Sequence, residues 1–145
     1  MERREFIKSS CNNLCMLLTA GLVLPMLPGC GPAAYQVIHT EVSNDQITVP
    51  LSGFTQYPLQ LVRPKGWLYA IAVRKKEDNT YSALLMKCTH QDNQLTASGN
   101  GFTCSLHGSA FNPEGAVTKG PAERALKQYS VSADQTNLTI HLKAS

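Results

Sequence analysis

The sequence predicts an all-β fold, and three observations support this prediction. Beyond residue 45, short apolar runs rich in β-branched and aromatic residues alternate with turn-forming residues. No stretch there has the apolar periodicity of an amphipathic helix. With 145 residues, 43% of them apolar, the chain has room for one domain with a modest core and none for a second catalytic domain. We therefore expect a small antiparallel β-sandwich as the base of the protein.

Seven strands are predicted, in two groups on either side of a Gly-rich segment at residues 88–109. The first group comprises four short runs set off by polar or turn-forming residues: 46–50, 59–63, 67–74 and 81–87. A polar stretch, KKEDNT at 75–80, joins the last two into a hairpin. The second group comprises 116–118, 126–133 and 137–142, with a turn at 134–136 between the last two. The Gly-rich segment is loop-like, so we expect it to project from this scaffold as two loops.

The first 29 residues predict an export signal. A basic start, MERREFIK, precedes an apolar run of about fourteen residues at 14–27, which is shorter than the roughly 20 residues that a membrane-spanning helix needs. Residues 3–8, RREFIK, resemble the twin-arginine signal. That route exports proteins that have already folded, as a protein with a cofactor inserted in the cytoplasm requires.

Residues 27–30, LPGC, resemble the bacterial lipobox, in which the cysteine is lipidated and becomes the mature N-terminus. Lipidation of Cys30 would add two or more acyl chains, enough for stable anchoring. An ordinary signal peptide with an incidental Cys30 is the alternative. Residues 30–45 are expected to form a tether, and residues 46–145 the folded domain. We therefore expect an exported protein, held by a lipid on the periplasmic or extracytoplasmic face of a membrane.

The Gly-rich segment, CTHQDNQLTASGNGFTCSLHGS, contains two mixed pairs of metal-binding residues. Cys88 and His90 are followed, after thirteen residues, by Cys104 and His107. Zinc is one interpretation, but zinc-finger spacing pairs Cys with Cys and His with His. If the two sulfurs bind one iron and the two imidazoles another, each loop supplies one ligand to each metal of a dinuclear cluster.

These pairs, with Gly-Ser at 108–109, Gly115 and the GPA turn at 120–122, resemble the Rieske 2Fe-2S family from about residue 46 to the end. The resemblance implies a Rieske-type fold, with a cluster-binding subdomain of two loops at about 86–122. It also implies roles for the four ligands, two cysteines on the buried iron and two histidines on the outer iron: Cys88 and Cys104, then His90 and His107. Gly108 would let the backbone pass close to the cluster, and Pro121 would belong to the proline loop that covers its other side.

The resemblance also bears on the reduction potential. High-potential members have a Ser that donates to a bridging sulfide, a Tyr two residues later that donates to a ligand Cys, and a disulfide between the loops. This chain has Ser109 and Phe111 at the first two positions, and the disulfide positions, near Asn93 and at Leu106, hold no Cys. We therefore expect a potential in the lower or middle part of the Rieske range, which runs from about −150 to +300 mV.

The five cysteines are then all assigned, and none remains for a structural disulfide. Two lie in the export signal, one is the lipidation candidate and two are ligands: Cys11, Cys15, Cys30, Cys88 and Cys104. The other histidines, His39 and His141, are expected to be surface or packing residues, and Trp67 a core residue.

These features favour a one-electron carrier, or an electron-transfer subunit of a respiratory or periplasmic redox complex. Its partner would be a redox protein such as a cytochrome, a quinol-oxidising complex or an oxidase subunit. The formal charge of +3 is too small and scattered for nucleic-acid binding. Basic residues at 63–65 and 74–76 are expected to be solvated turns, and a docking surface for an acidic partner is the alternative.

Two other functions stay open at this point. The chain could deliver electrons within an oxygenase or oxidase, although the mononuclear iron of a Rieske oxygenase needs two further histidines and a carboxylate. The cluster would use two of the four histidines, and the other two, His39 and His141, are expected to be surface or packing residues, so we do not expect this chain to form that site. The chain could instead be a non-redox interaction module. Whether the chain is part of an enzyme stays open, because it could be an electron-transfer protein or an oxidoreductase subunit without a substrate site of its own.

Overall fold

A computed structural model describes residues 35–143, and within them nearly all regular structure is β. The single helix is a 3₁₀ turn, Leu51–Thr55. The strands are Tyr35–Thr40 (β1), Gln46–Pro50 (β2), Leu59–Pro64 (β3), Ile71–Lys75 (β4), Tyr81–Leu85 (β5), Thr96–Ser98 (β6), Gly101–Thr103 (β7), Ala110–Phe111 (β8), Val117–Lys119 (β9), Gln128–Ala133 (β10) and Asn137–His141 (β11). The predicted all-β fold is confirmed. No helix within residues 35–143 is long and apolar enough to cross a bilayer.

The strands form two sheets. The larger sheet has seven strands in the order β1-β3-β4-β5-β10-β11-β2, and the smaller has four in the order β6-β7-β8-β9. Every pair is antiparallel except β1 with β3, which is parallel. The Gly-rich segment runs from the end of β5 into the smaller sheet, so the first pair of candidate ligands lies before β6 and the second pair lies between β7 and β8.

Strands β3, β4 and β5 are buried on both faces, and this explains their dense apolar sequence. Successive side chains of a strand point to opposite faces. In β4, Ile71 and Val73 belong to a core cluster shared with β2 and β11, whereas Ala72 belongs to the cluster that contains Cys88 and Cys104. The central strands therefore join the base of the protein to the packing beneath the candidate ligands.

Acidic residues close the two long hairpins. Asp78 Oδ1 accepts hydrogen bonds from the Thr80 N–H (2.9 Å) and O–H (2.6 Å) between β4 and β5. Asp134 Oδ1 accepts from the N–H groups of Thr136 (2.7 Å) and Asn137 (2.7 Å) between β10 and β11. Side chains that cap a turn in this way are the reason why Asp is frequent there.

The structure corrects three expectations. Residues 35–40, expected in the tether, form strand β1, whose side chains at Gln36, Val37 and His39 are exposed and so give no apolar pattern. The segment 88–109 is not all loop, because β6 and β7 pair within it across a turn at Gly99. Trp67, expected in the core, precedes β4 and is 38% exposed, with its ring tilted against that of Tyr129 at a centroid distance of 6.5 Å. The predicted export signal and lipidated Cys30 lie outside the described residues.

Candidate metal centre

The first ligand loop follows β5. Residues 87 and 94 pair as an isolated bridge, which closes the loop at its base. Within it, the Cys88 N–H donates to the backbone oxygen of Asn93 (2.9 Å), and Lys87 forms an ion pair with Asp92 (2.9 Å). The hydrogen bond to the Asp92 carboxylate raises the pKa of Lys87. The loop therefore holds Cys88 in place through the backbone.

The second ligand loop connects β7 to β8. The Cys104 N–H donates to the Ser109 backbone oxygen (2.8 Å), and the Gly108 N–H donates to the Cys104 oxygen (3.0 Å). Gly108 has φ +80°, a conformation that residues with a side chain rarely adopt. This positive φ, rather than crowding, requires glycine there, because an added Cβ would meet only the Lys119 Nζ at 4.0 Å.

The four candidate ligands form two pairs with opposite exposure. Cys88 and Cys104 are buried, 1% and 3% exposed, and their side chains are within hydrogen-bonding reach of each other. His90 and His107 are exposed, with ring centroids 5.0 Å apart and planes at 85°. No three His, Cys, Asp or Glu side chains within residues 35–143 converge to hold a single metal ion.

The surroundings of the Cys104 sulfur favour its anionic form. Burial raises the pKa of this thiol, but hydrogen bonds from the Asn93 amide, the Leu106 N–H, the Cys88 thiol and the His107 N–H outweigh burial and lower the pKa. The Asn93 Nδ2 lies 3.5 Å from Cys104 Sγ. Iron binds thiolate rather than thiol, so a sulfur held by several donors, beside a second buried sulfur and two outward imidazoles, fits an iron–sulfur cluster.

A third segment, residues 115–126, contacts both ligand loops. The Ala122 N–H donates to Ser109 Oγ (3.0 Å), and Ser109 is fully buried. The Thr89 hydroxyl donates to the Arg124 backbone oxygen (2.6 Å). Pro121, expected in a covering loop, is exposed at the turn that these contacts hold, and the Gly120–Pro121 peptide is cis.

Phe111 lies on β8 and pairs with Phe102 of β7. Both rings are buried in the core cluster that contains the two cysteines. Phenylalanine has no polar atom, so position 111 donates no hydrogen bond to a sulfur. Leu106, between the exposed histidine and the buried cysteine, is itself 53% exposed.

The remaining histidines lie outside both ligand loops, on strands of the larger sheet. His39 is exposed on β1, and His141 on β11 contacts Gln46 (3.3 Å) and Ser132 (2.8 Å). Both are surface or packing residues, as expected. The basic runs at 63–65 and 74–76 do not form one patch, because Leu59 pairs with Arg74 and the first run lies at the other end of β3.

Sequence reasoning missed three residues that hold this centre together. In the sequence, position 93 is marked only by the missing disulfide cysteine, and nothing marks Thr89 or Arg124 for a contact with each other. The only sequence feature that could have indicated these contacts is a side-chain amide, a hydrogen-bond donor, within the first ligand loop. The contacts that matter join residues 11 and 35 positions apart, which spacing rules do not reach.

The comparisons with known proteins agree with this geometry. The family model described as Rieske [2Fe-2S] domain matches residues 41–130, which include all four candidate ligands. Members of this family bind a 2Fe-2S cluster, and this confirms the expected cofactor. No curated protein sequence matches the chain.

Two solved structures share the fold. The plasma-membrane Rieske protein PetC3 of the cyanobacterium Synechocystis PCC 6803 is similar at a TM-score of 0.55, with 24% identity over 66% of this chain and 95% of that one. A chain from the complex of reduced oxygenase and oxidised ferredoxin in carbazole 1,9a-dioxygenase is similar at a TM-score of 0.53, with 20% identity over 71% of this chain and 98% of that one.

Proposed function

Because the chain belongs to the Rieske 2Fe-2S domain family, we propose that it is a one-electron carrier whose cluster is held by the two pairs described above. In this proposal Cys88 and Cys104 bind the inner iron, and His90 and His107 bind the outer iron. The observation that carries it is the separation of the pairs, with both sulfurs buried and both imidazoles exposed 5.0 Å apart. When bound, the cluster supplies a one-electron redox couple, and the net charge of the oxidised cluster with its ligands is about zero.

The protein side chains would control how the electron enters and leaves. The buried sulfurs exclude water from the inner side, and the donors around Cys104 stabilise negative charge there. The exposed rings of His90 and His107, with Leu106 beside them, form an edge that a partner can contact. An apolar residue at this edge suits a transient interface, because little polar surface must be desolvated.

The expected potential lies in the lower or middle part of the Rieske range. Two neutral imidazoles in place of two thiolates make addition of an electron easier than in a four-Cys cluster, which sits near about −400 mV. Phe111 donates nothing to the cluster, and neither Asn93 nor Leu106 can form a disulfide, so two of the features of high-potential members are missing.

Export and anchoring complete the proposal. The RREFIK start supports twin-arginine export of the folded protein, and LPGC supports lipidation at Cys30. The carrier would then work outside the cytoplasm, on a membrane, with a cytochrome, a quinol-oxidising complex or an oxidase subunit. Replacing Cys30 with Ser should move the protein from the membrane to the soluble fraction. Unchanged membrane association of this variant would contradict the lipid anchor.

Electron exit at the histidine edge can be tested by adding a charge there. Leu106→Glu places a carboxylate beside His107, whereas Gln135→Glu places one in the β10–β11 turn. Strands β5 and β10 are antiparallel, and Tyr129, near the start of β10, pairs with Ala83 of β5. Because β5 ends just before Cys88, β10 runs away from the ligand loops, and the turn after it lies at the opposite end of the sheet.

The assay is stopped-flow oxidation of the reduced full-length protein at low ionic strength. With ferricyanide, an anion, Leu106→Glu should slow electron transfer several-fold, and with hexaammineruthenium(III), a cation, it should not. Gln135→Glu should leave both rates within about twofold of the unmodified protein. Equal effects of the two variants on both oxidants would contradict exit near Leu106.

A further inference from the structure

Asn93 contacts both candidate cysteine ligands. Its backbone oxygen accepts the Cys88 N–H (2.9 Å), and its side-chain Nδ2 lies 3.5 Å from the Cys104 sulfur. The residue is partly buried, whereas Gln91 and Asp92 before it are exposed. One side chain of the first ligand loop therefore reaches the ligand of the second loop.

The chemistry of the sulfur decides what this contact does. A sulfur bound to iron has lost its proton and can only accept a hydrogen bond, so the NH₂ end of the amide must face it. A hydrogen bond with a charged partner is stronger than a neutral one, and partial burial protects it from competition by water. Negative charge on the sulfur increases when the cluster is reduced, so the bond strengthens in the reduced state.

We propose that the Asn93 side chain raises the reduction potential of the cluster by donating to the Cys104 sulfur. This inference rests on the proposed function. The reaction it affects is addition of one electron from a redox partner, with no bond made or broken in the chain and no proton required. Asn93 is a positioning residue, which acts on the iron through Cys104 and partly replaces the donor that Phe111 cannot supply.

The same side chain links the two ligand loops without a covalent bond. It stands near the position that would hold one cysteine of the loop disulfide in high-potential members of the family. Asn93 thus combines two roles, since its backbone fixes Cys88 and its amide fixes Cys104. The two roles are separable by substitution, because only the amide is lost when the side chain changes.

Two variants of the full-length holoprotein test the proposal. Asn93→Leu removes the donor and keeps the approximate size, and Asn93→Asp turns an oxygen or a negative charge toward the sulfur. Asn100→Asp is the matched control: Asn100 accepts from Arg74 (3.4 Å) in the turn before β7, at the opposite end of that strand from Cys104.

The readout is the midpoint potential from a redox titration followed by circular dichroism. Asn93→Leu should lower the equilibrium constant for reduction about tenfold, which is about 59 mV for one electron. Asn93→Asp should lower it further, and Asn100→Asp should change it less than twofold. A potential for Asn93→Leu within twofold of the unmodified protein, at full iron and sulfide content, would overturn the proposal.

A second measurement needs no substitution and so survives a variant that fails to assemble. The unmodified protein is labelled with ¹⁵N at the asparagine side-chain nitrogen, reduced, and studied by pulsed electron paramagnetic resonance. A weak ¹⁵N coupling to the cluster is expected, and its absence would overturn the Asn93 contact alone. Protein without any cluster would overturn the proposed function as well, so the two failures are distinguishable.

Discussion

Replacing Ser109 with Ala should loosen the loop over the candidate cluster and lower the potential. Ser109 is fully buried, and its oxygen accepts the N–H of Ala122 (3.0 Å), which is itself buried. Removing the oxygen leaves that N–H without a partner, and a buried unsatisfied donor costs about 1–3 kcal/mol. The Ser109 oxygen accepts from Ala122, so the hydrogen of the same hydroxyl can still be donated. The family resemblance implies that it is donated to the cluster.

The magnitude follows from these two losses. With a urea dependence of about 1–3 kcal/mol per molar, a loss of about 2 kcal/mol lowers the urea midpoint by roughly 1 M. Loss of one hydrogen bond to the cluster should also lower the reduction equilibrium constant about tenfold, or about 59 mV.

The assays are urea unfolding by far-ultraviolet circular dichroism and protein-film voltammetry, both on the holoprotein. Ser105→Ala is the matched control, because Ser105 lies in the same loop but is exposed. The control should change the free energy of unfolding by less than about 0.5 kcal/mol. If Ser109→Ala unfolds at the same urea concentration as the control, the contact with Ala122 does not hold the loop, and an unchanged potential would refute the hydroxyl contact with the cluster.

Three further predictions concern the potential, the packing and the acid stability. Phe111→Tyr should raise the midpoint potential in voltammetry, because it restores a hydroxyl donor at a buried position of the cysteine core cluster; an equal or lower value would count against this. Gly115→Ala should destabilise the protein by roughly 1–3 kcal/mol in urea unfolding, because φ is +86° and the added Cβ would lie 3.1 Å from Leu84 Cδ2. Gly66→Ala, at φ +79° with nothing within 4 Å, measures the strain alone, so equal losses would exclude a packing cost at Gly115. The N–H groups of Thr136 and Asn137 lower the pKa of Asp134 below 3.8, so its stabilising effect is present above that pH and is lost as pH falls through the lower, folded-state value. Acid unfolding of Asp134→Asn should therefore show a weaker pH dependence than that of the unmodified protein, and parallel curves would contradict this.

The strands that were predicted best from the sequence are those whose buried side chains must be apolar. Strand β2, Gln46–Pro50, matches the prediction residue for residue, because buried and exposed side chains alternate along it. Strands β3 to β5 were found because both faces are buried. Strand β1 was missed because its pairing with β3 uses the backbone, leaves half of its side chains exposed and buries none of them fully. Strands β6 to β8 have only two or three residues each, too few for a pattern.

The candidate site also has a part that could be predicted from the sequence and a part that could not. Its four ligands could be proposed from local spacing, since each pair lies within four residues of sequence. The contacts that orient them could not, because Asn93 to Cys104 and Ser109 to Ala122 depend on how separate loops fold against each other. A family resemblance identified position 109 as important but said nothing about its bond to Ala122.

The central claim is that this chain holds a 2Fe-2S cluster, for which we propose four ligands: Cys88, His90, Cys104 and His107. The most direct test is the iron and acid-labile sulfide content of the purified full-length protein. The family assignment predicts two iron atoms and two sulfides per chain. One zinc ion per chain and no acid-labile sulfide would contradict the account.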